Sequence, residues 1–148
     1  MQTINLTQRP PRSARVRLGG YVILPRLLDK CRAELEGNNG EYHYNCPLDQ
    51  RFLSFTGVDA EALKAEVAKG LGDGALLNWI NENATIKRDN WEIVQWSAVA
   101  EAHAPSSNGN REFINELVAS VGGSEREDIS TIFEALDLDD HASYGGKS

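Results

Sequence analysis

The 148-residue chain has little cysteine, with Cys31 and Cys46 alone, and its longest apolar runs, such as "YVIL", are only a few residues long. Each scarcity removes a class of protein. Two cysteines cannot build a disulfide framework, and a reducing compartment keeps them as thiols. The apolar runs fall far short of the roughly 20 residues that cross a bilayer, so no membrane association is expected. The N-terminus has no apolar core of a signal peptide, and a cytoplasmic location is expected. Metal ligands are equally sparse. His43, His103 and His141 join the two cysteines, and only "HYNC" has a short spacing, whereas structural zinc takes four ligands in two such pairs. The "DLDDH" run at 137–141 lacks the glycine and glutamate of a calcium loop and reads as a solvated acidic end. "GLGDG" at 70–74 has no strand before it and reads as a helix junction, not a nucleotide loop. No metal and no cofactor are expected, and no repeat of 20–50 residues is evident.

What is present suits one domain, with 41% hydrophobic and 25% charged residues. The net charge of −7 opposes a general affinity for phosphate backbones, and no aromatic-interleaved basic face accompanies the arginines, so nucleic acid is not expected as a partner. The average hides an asymmetry. Arg9, Arg12, Arg15, Arg17, Arg26, Lys30 and Arg32 stand against Asp29 alone in the first 32 residues, giving +6 there and −13 for the remainder. Two readings compete. A basic arm can pack along an acidic body, or Arg12, Arg15 and Arg17 can receive an anionic ligand, since the planar guanidinium grips carboxylate or phosphate by two bonds.

The pattern predicts an all-α protein, a single compact domain of six to seven short helices with an extended basic N-terminal arm. The arm covers 1–20, the helical domain 21–138 and a flexible tail 139–148. Pro10, Pro11, Gly19 and Gly20 interrupt any period in the arm. The first helix holds Pro25 in its first turn and can end at Gly37, with Leu28, Cys31 and Leu35 on one face, and Cys31 is expected as a small buried hydrophobe. A second begins at Pro47 and stops at Gly57. Asp59 and Asp73 are predicted to cap the next two. In "RDNWEIVQWSAVAEAHA" the predicted inward side holds Trp91, Val94, Ala98 and Ala102, which leaves Trp96 off the stripe as a partner-facing anchor. "REFINELVASVG" is helical through Phe113, Ile114, Leu117, Val118 and Val121. Ser124 and Glu127 have capping-box spacing ahead of a last helix lined by Ile129, Ile132, Phe133 and Leu136.

The richest stretch for chemistry is "GEYHYNCPLDQ" at 40–50. With Cys46 at a helix N-terminus and His43 three residues before it, a thiol nucleophile with its base is conceivable. Asp49 at the third helical position works against that, because its carboxylate can take the same amides and disfavours a nearby thiolate. Alternation of Tyr42, Tyr44 and Cys46 inward, with His43 and Asn45 outward, describes a packed loop instead.

Three stretches, "LTQRPPRSARVRLGGYVILPRLLDKCRAELEG", "GEYHYNCPLDQRFLSFTGVD" and "GDGALLNWI", resemble a bacterial family known as domain of unknown function 5069. The likeness covers about residues 5–82. It implies a small helical cytoplasmic domain, and it brings no established activity, cofactor or catalytic residue. It draws attention to Arg12, Arg15, Tyr21, Arg26, Asp29, Lys30 and Arg32, which match the family's arm and first-helix pattern.

No motif dictates a reaction. The leading expectation is a non-enzymatic protein that binds an anionic ligand or a protein partner through Arg12, Arg15, Arg17, Tyr21, Arg26, Tyr42, Tyr44 and Asn45, since binding residues concentrate on loops held by a rigid scaffold. The alternatives are a small enzyme acting on an anionic metabolite, with Arg15 and Arg26 holding substrate and Cys46, His43 or Asp49 doing the chemistry, and a pocketless interaction module that presents Trp96.

Overall fold

The computed structural model describes residues 4–103, 108–120, 122 and 128–146. Among them lie seven helices and no strand: α1 Leu24–Leu35, α2 Pro47–Thr56, α3 Ala60–Val67, α4 Asp73–Asn83, α5 Asn90–Ala102, α6 Asn108–Ser120 and α7 Ile132–Ser143. Residues 4–20 run as successive turns and irregular segments, with one isolated bridge between Leu18 and Tyr21. Leu6 and Ala14 are buried and fasten this segment to the body.

α1 is the organising element. Leu24, Leu27, Leu28 and Cys31 have no exposed surface, and burial pushes the Cys31 thiol up to about 12, so it packs as a neutral hydrophobe. Its polar side is buried too. Arg26, Asp29, Lys30 and Arg32 all lie under 9% exposed, which is tolerable only because each has an opposite charge against it. Leu35, predicted to share the face of Leu28 and Cys31, is exposed at the helix end. The helix starts with Pro25 in its first turn, after an N-cap Ile23 at φ 74°. That conformation strains a β-branched side chain, and full burial of Ile23 together with its N–H donated to Ala14 O at 2.8 Å holds it there.

Local signals set the other boundaries. α2 ends at Gly57, φ 68°, where a Cβ would run into Thr85. Asp59 caps α3 by accepting from Ala62 N at 2.8 Å. Asp73, predicted as the cap of α4, is instead its first residue after the N-cap Gly72, and its carboxylate turns away to Arg12 and Arg32. Burial works against its ionisation, yet hydrogen bonds from those two guanidinium groups outweigh that and lower its pKa.

The face assigned to α5 is corrected. Trp91 and Val94 are 68% and 53% exposed, Ala98 and Ala102 are also exposed, and the inward residues are Ile93, Ser97 and Ala100. The buried serine explains the mistaken face: Ser97 Oγ accepts from Val22 N at 3.1 Å and donates to Gly20 O, so a polar residue does the docking. Trp96 is half-buried. Its ring stacks on Phe55 at 4.8 Å with Tyr21 edge-on at 6.2 Å.

α6 and α7 form a second cluster through Ile114, Val118, Ile129, Ala135 and Leu138, while Phe133 joins the main core. The predicted Ser124–Glu127 capping box lies outside the described residues, as do the side chain of Phe113 and all of Val121. α7 begins later, at a capping box of Thr131 and Glu134. It continues through residues 139–143, so the predicted boundary of the tail falls inside a helix.

Candidate functional site

The 40–51 segment is shaped by short-range geometry. Leu6 N–H donates to Asn38 O at 2.9 Å, and Gly40 at φ 55° passes so close to the Leu6 carbonyl that a Cβ would lie 2.9 Å from its oxygen. Only glycine fits there. Beneath the loop, Lys30 rises from α1 with 3% of its side chain exposed. Its ammonium donates to Asp49 Oδ2 at 2.9 Å, His43 O at 3.0 Å and Cys46 Sγ at 3.2 Å, which matches three donors to three acceptors. Asp49 does not cap the amides of its own helix. Its Oδ2 also accepts from Asn45 N at 2.9 Å, and its Oδ1 has no hydrogen-bond partner among the described residues.

The opposite wall is α7, through Ile132, Leu136, Asp139 and Ser143, while the polar edge of the same helix docks on the arm and α1. Arg26 and Asp140 form a buried ion pair at 2.7 Å. Tyr42 Oη donates to Asp140 Oδ1 at 2.8 Å, and the Arg26 guanidinium sits 5.6 Å from the centre of the Tyr42 ring. Burial, then the Asp140 charge and hydrogen bond, push the Tyr42 phenol up, so it remains a donor. One turn earlier Asp137 takes Ser13 at 2.6 Å and Arg15 at 2.9 Å, and one turn later Tyr144 Oη donates to Leu6 O.

Between these walls lies a cleft of about 760 Å³. Leu6, Pro47, Leu48, Ile132 and Leu136 supply apolar surface; Arg26, Lys30, Arg51, Glu41 and Asp139 supply charge, with Tyr42, His43 and Cys46 alongside. Size and lining fall in the range of small-molecule sites. The cleft gathers only part of the set singled out from sequence. Arg26, Tyr42, His43 and Cys46 border it; Arg12, Arg15, Arg17, Tyr21, Tyr44, Asn45 and Asp49 do not. Arg12 grips Asp29 at 2.9 and 3.0 Å and Asp73 at 2.8 Å, and Arg17 meets Glu101 at 3.1 Å. Tyr21 packs edge-on against Phe52, and Tyr44 Oη donates to Ala60 O at 2.7 Å. Asn45 is exposed at φ 63°. The arginine arm thus lies along acids of the body.

Sequence reasoning missed Arg51, Asp139, Asp140 and Tyr144. A usable signal existed: 137, 140 and 144 fall on one helical face, inside a run otherwise read as a solvated end. No hydrogen bond joins the His43 imidazole to Cys46 among the described residues. No group of three or more His, Cys, Asp or Glu able to hold a metal ion occurs among them, and none of their helices is long and apolar enough to cross a membrane.

Asp139 gives the cleft a pH response. Burial raises its pKa, the neighbouring Asp140 adds to the rise, Arg26 opposes it and Glu41 adds again. A carboxyl whose pKa is higher folded than unfolded holds its proton more tightly in the native state, so its ionisation opposes folding at neutral pH and the penalty fades as pH falls through the folded pKa. Asp139→Asn is therefore expected to raise the melting temperature at pH 7, with the gain over wild type shrinking as pH is lowered. A variant that melts below wild type at pH 7 would contradict this.

A family model described as Domain of unknown function (DUF5069) matches residues 8–142, and no curated protein matches the chain.

Proposed function

We propose that this chain, which belongs to the DUF5069 family, binds a small organic monoanion with an apolar body in the cleft between the 40–51 segment and α7. The observation that carries the reading is Arg51. Every other lysine or arginine bordering the cleft faces a carboxylate, Arg26 with Asp140 and Lys30 with Asp49, whereas Arg51 makes no ion pair among the described residues. An unpaired, half-buried guanidinium beside Leu48 is a seat for a carboxylate, and the leucines and Ile132 suit a hydrocarbon chain. Glu41 and Asp139 repel a second negative group, which favours one charge over a polyphosphate. The arm contributes Leu6 and Thr7 as wall, while Arg12, Arg15 and Arg17 hold it down. Binding without turnover is the reading, because no imidazole hydrogen-bonds Cys46 among the described residues to serve as its base.

The test is a thermal-shift and calorimetric series with alkyl monocarboxylates of increasing chain length. A ligand that binds the native state raises the melting temperature with its concentration. Arg51→Ala is expected to weaken binding roughly 10- to 100-fold, since a charge-assisted hydrogen bond contributes about 1.5–3 kcal/mol. Wild type that no member shifts, or a variant that binds as tightly, would overturn the proposal.

A further inference from the structure

Lys30 and Cys46 present a geometry that the ligand reading does not use. Sγ lies 3.2 Å from Nζ, Cys46 borders the cleft and is partly exposed, and Lys30 behind it is 2% exposed. A small oxidant entering the cleft meets sulfur first, with a primary amine waiting on its far side. We propose that Cys46 and Lys30 form a reversible nitrogen–sulfur cross-link when the protein meets hydrogen peroxide.

The chemistry balances in two steps. In the first, peroxide transfers one oxygen to Sγ: the O–O bond breaks, Cys46–SH becomes Cys46–SOH, sulfur is oxidised, and the peroxide is reduced to water. In the second, the Lys30 ammonium passes a proton along its 2.9 Å hydrogen bond to Asp49, and the freed lone pair attacks Sγ. An N–S bond forms, the S–OH bond breaks, and hydroxide leaves with a second proton from Nζ as water. The sum is amine plus thiol plus one peroxide giving a sulfenamide and two waters. A sulfenic acid condenses in this way with a thiol or a backbone nitrogen, and here the nearest nucleophile is the lysine.

Two features favour this partner over the other thiol. Cys31 has no exposed surface, and burial pushes its thiol up to about 12, so it neither meets peroxide nor attacks a sulfenic acid as thiolate. The electrostatics of the buried pair also stay whole. Losing the ammonium alone would strand the Asp49 carboxylate at 0% exposure, but the transferred proton neutralises it at the same moment. The product joins α1 to the N-terminus of α2 and removes one cation from the cleft, which makes the segment responsive to oxidant whether or not a ligand binds there.

The experiment is peptide mapping by mass spectrometry of the folded protein after graded peroxide, with and without dimedone to trap sulfenic acid. Expected is a loss of two hydrogens' mass, located on a Lys30 peptide joined to a Cys46 peptide, persisting in Cys31→Ala and reversed by a thiol reductant. Lys30→Arg keeps the positive charge without a primary amine and is expected to turn the cross-link into dimedone-reactive Cys46. Wild type settles the matter alone should that variant not fold: in the samples oxidised without dimedone, Cys46 recovered as sulfinic acid, as a disulfide with Cys31, or as a sulfenic acid still open to dimedone added after the peroxide is removed, with Lys30 unmodified, would overturn the proposal.

Discussion

Asp49→Ala is expected to destabilise the protein by about 3–5 kcal/mol, because removing one member of a buried ion pair leaves the other charge uncompensated. Lys30 would be the stranded charge. Its side chain is 3% exposed, and among the described residues Asp49 supplies its only carboxylate. The loss extends to Asn45 N, which donates to the same oxygen and fixes the left-handed turn ahead of α2. For a domain of this length the melting temperature should fall by roughly 2–4 °C per kcal/mol. The double replacement Lys30→Met with Asp49→Leu removes both charges and is expected to recover much of that loss, as apolar substitutes for buried ion pairs commonly do. Chemical denaturation of wild type, Lys30→Met, Asp49→Leu and the double variant measures the coupling directly. Asp49→Ala within about 1 kcal/mol of wild type would mean that the pair is not desolvated as its burial implies.

Asp140→Ala should have a similar effect, about 3–5 kcal/mol, with a different structural consequence. Arg26 and Tyr42 both use that carboxylate, and its loss detaches α7 from α1 and the 40–51 loop at one point. Amides of α7 should then exchange faster with solvent than those of α1, and the monocarboxylate binding proposed for the cleft, one wall of which is α7, should weaken. Asp137→Ala is the control on the same helical face. Its partner Arg15 is 48% exposed, and exposed pairs contribute about 0–1 kcal/mol. Equal effects at 137 and 140 would show that burial does not distinguish the two pairs.

The contrast between these two aspartates also marks where local reading stops. In sequence, "DLDDH" is a short acidic run beside a frayed end, and nothing within a few residues distinguishes Asp140 from Asp137 or Asp139. In the fold, Asp137 sits half-exposed on the arm, Asp139 borders the cleft and Asp140 is 6% exposed against Arg26. The α5 face fails for a related reason. Trp91 and Val94 look like a core stripe until the partner surface is known, and Ser97 looks like solvent until Gly20 and Val22 present it with a carbonyl and an amide.

The amino-acid sequence by itself determined the helical class, the starts at Pro25 and Pro47, the stop at Gly57, the Asp59 cap and the burial of Cys31. These depend on interactions within about one helical turn, which composition and spacing encode directly. Only the tertiary structure decided which charge meets which. Lys30 and Asp49 are 19 positions apart, Arg12 and Asp73 61, and Arg26 and Asp140 114. Ionic attraction carries no register of its own, so any of the arm's arginines could in principle meet any acid. The choice follows from where the apolar faces of α1, α2 and α7 lock against their neighbours, and the cleft beside Arg51 exists because that packing leaves it unfilled.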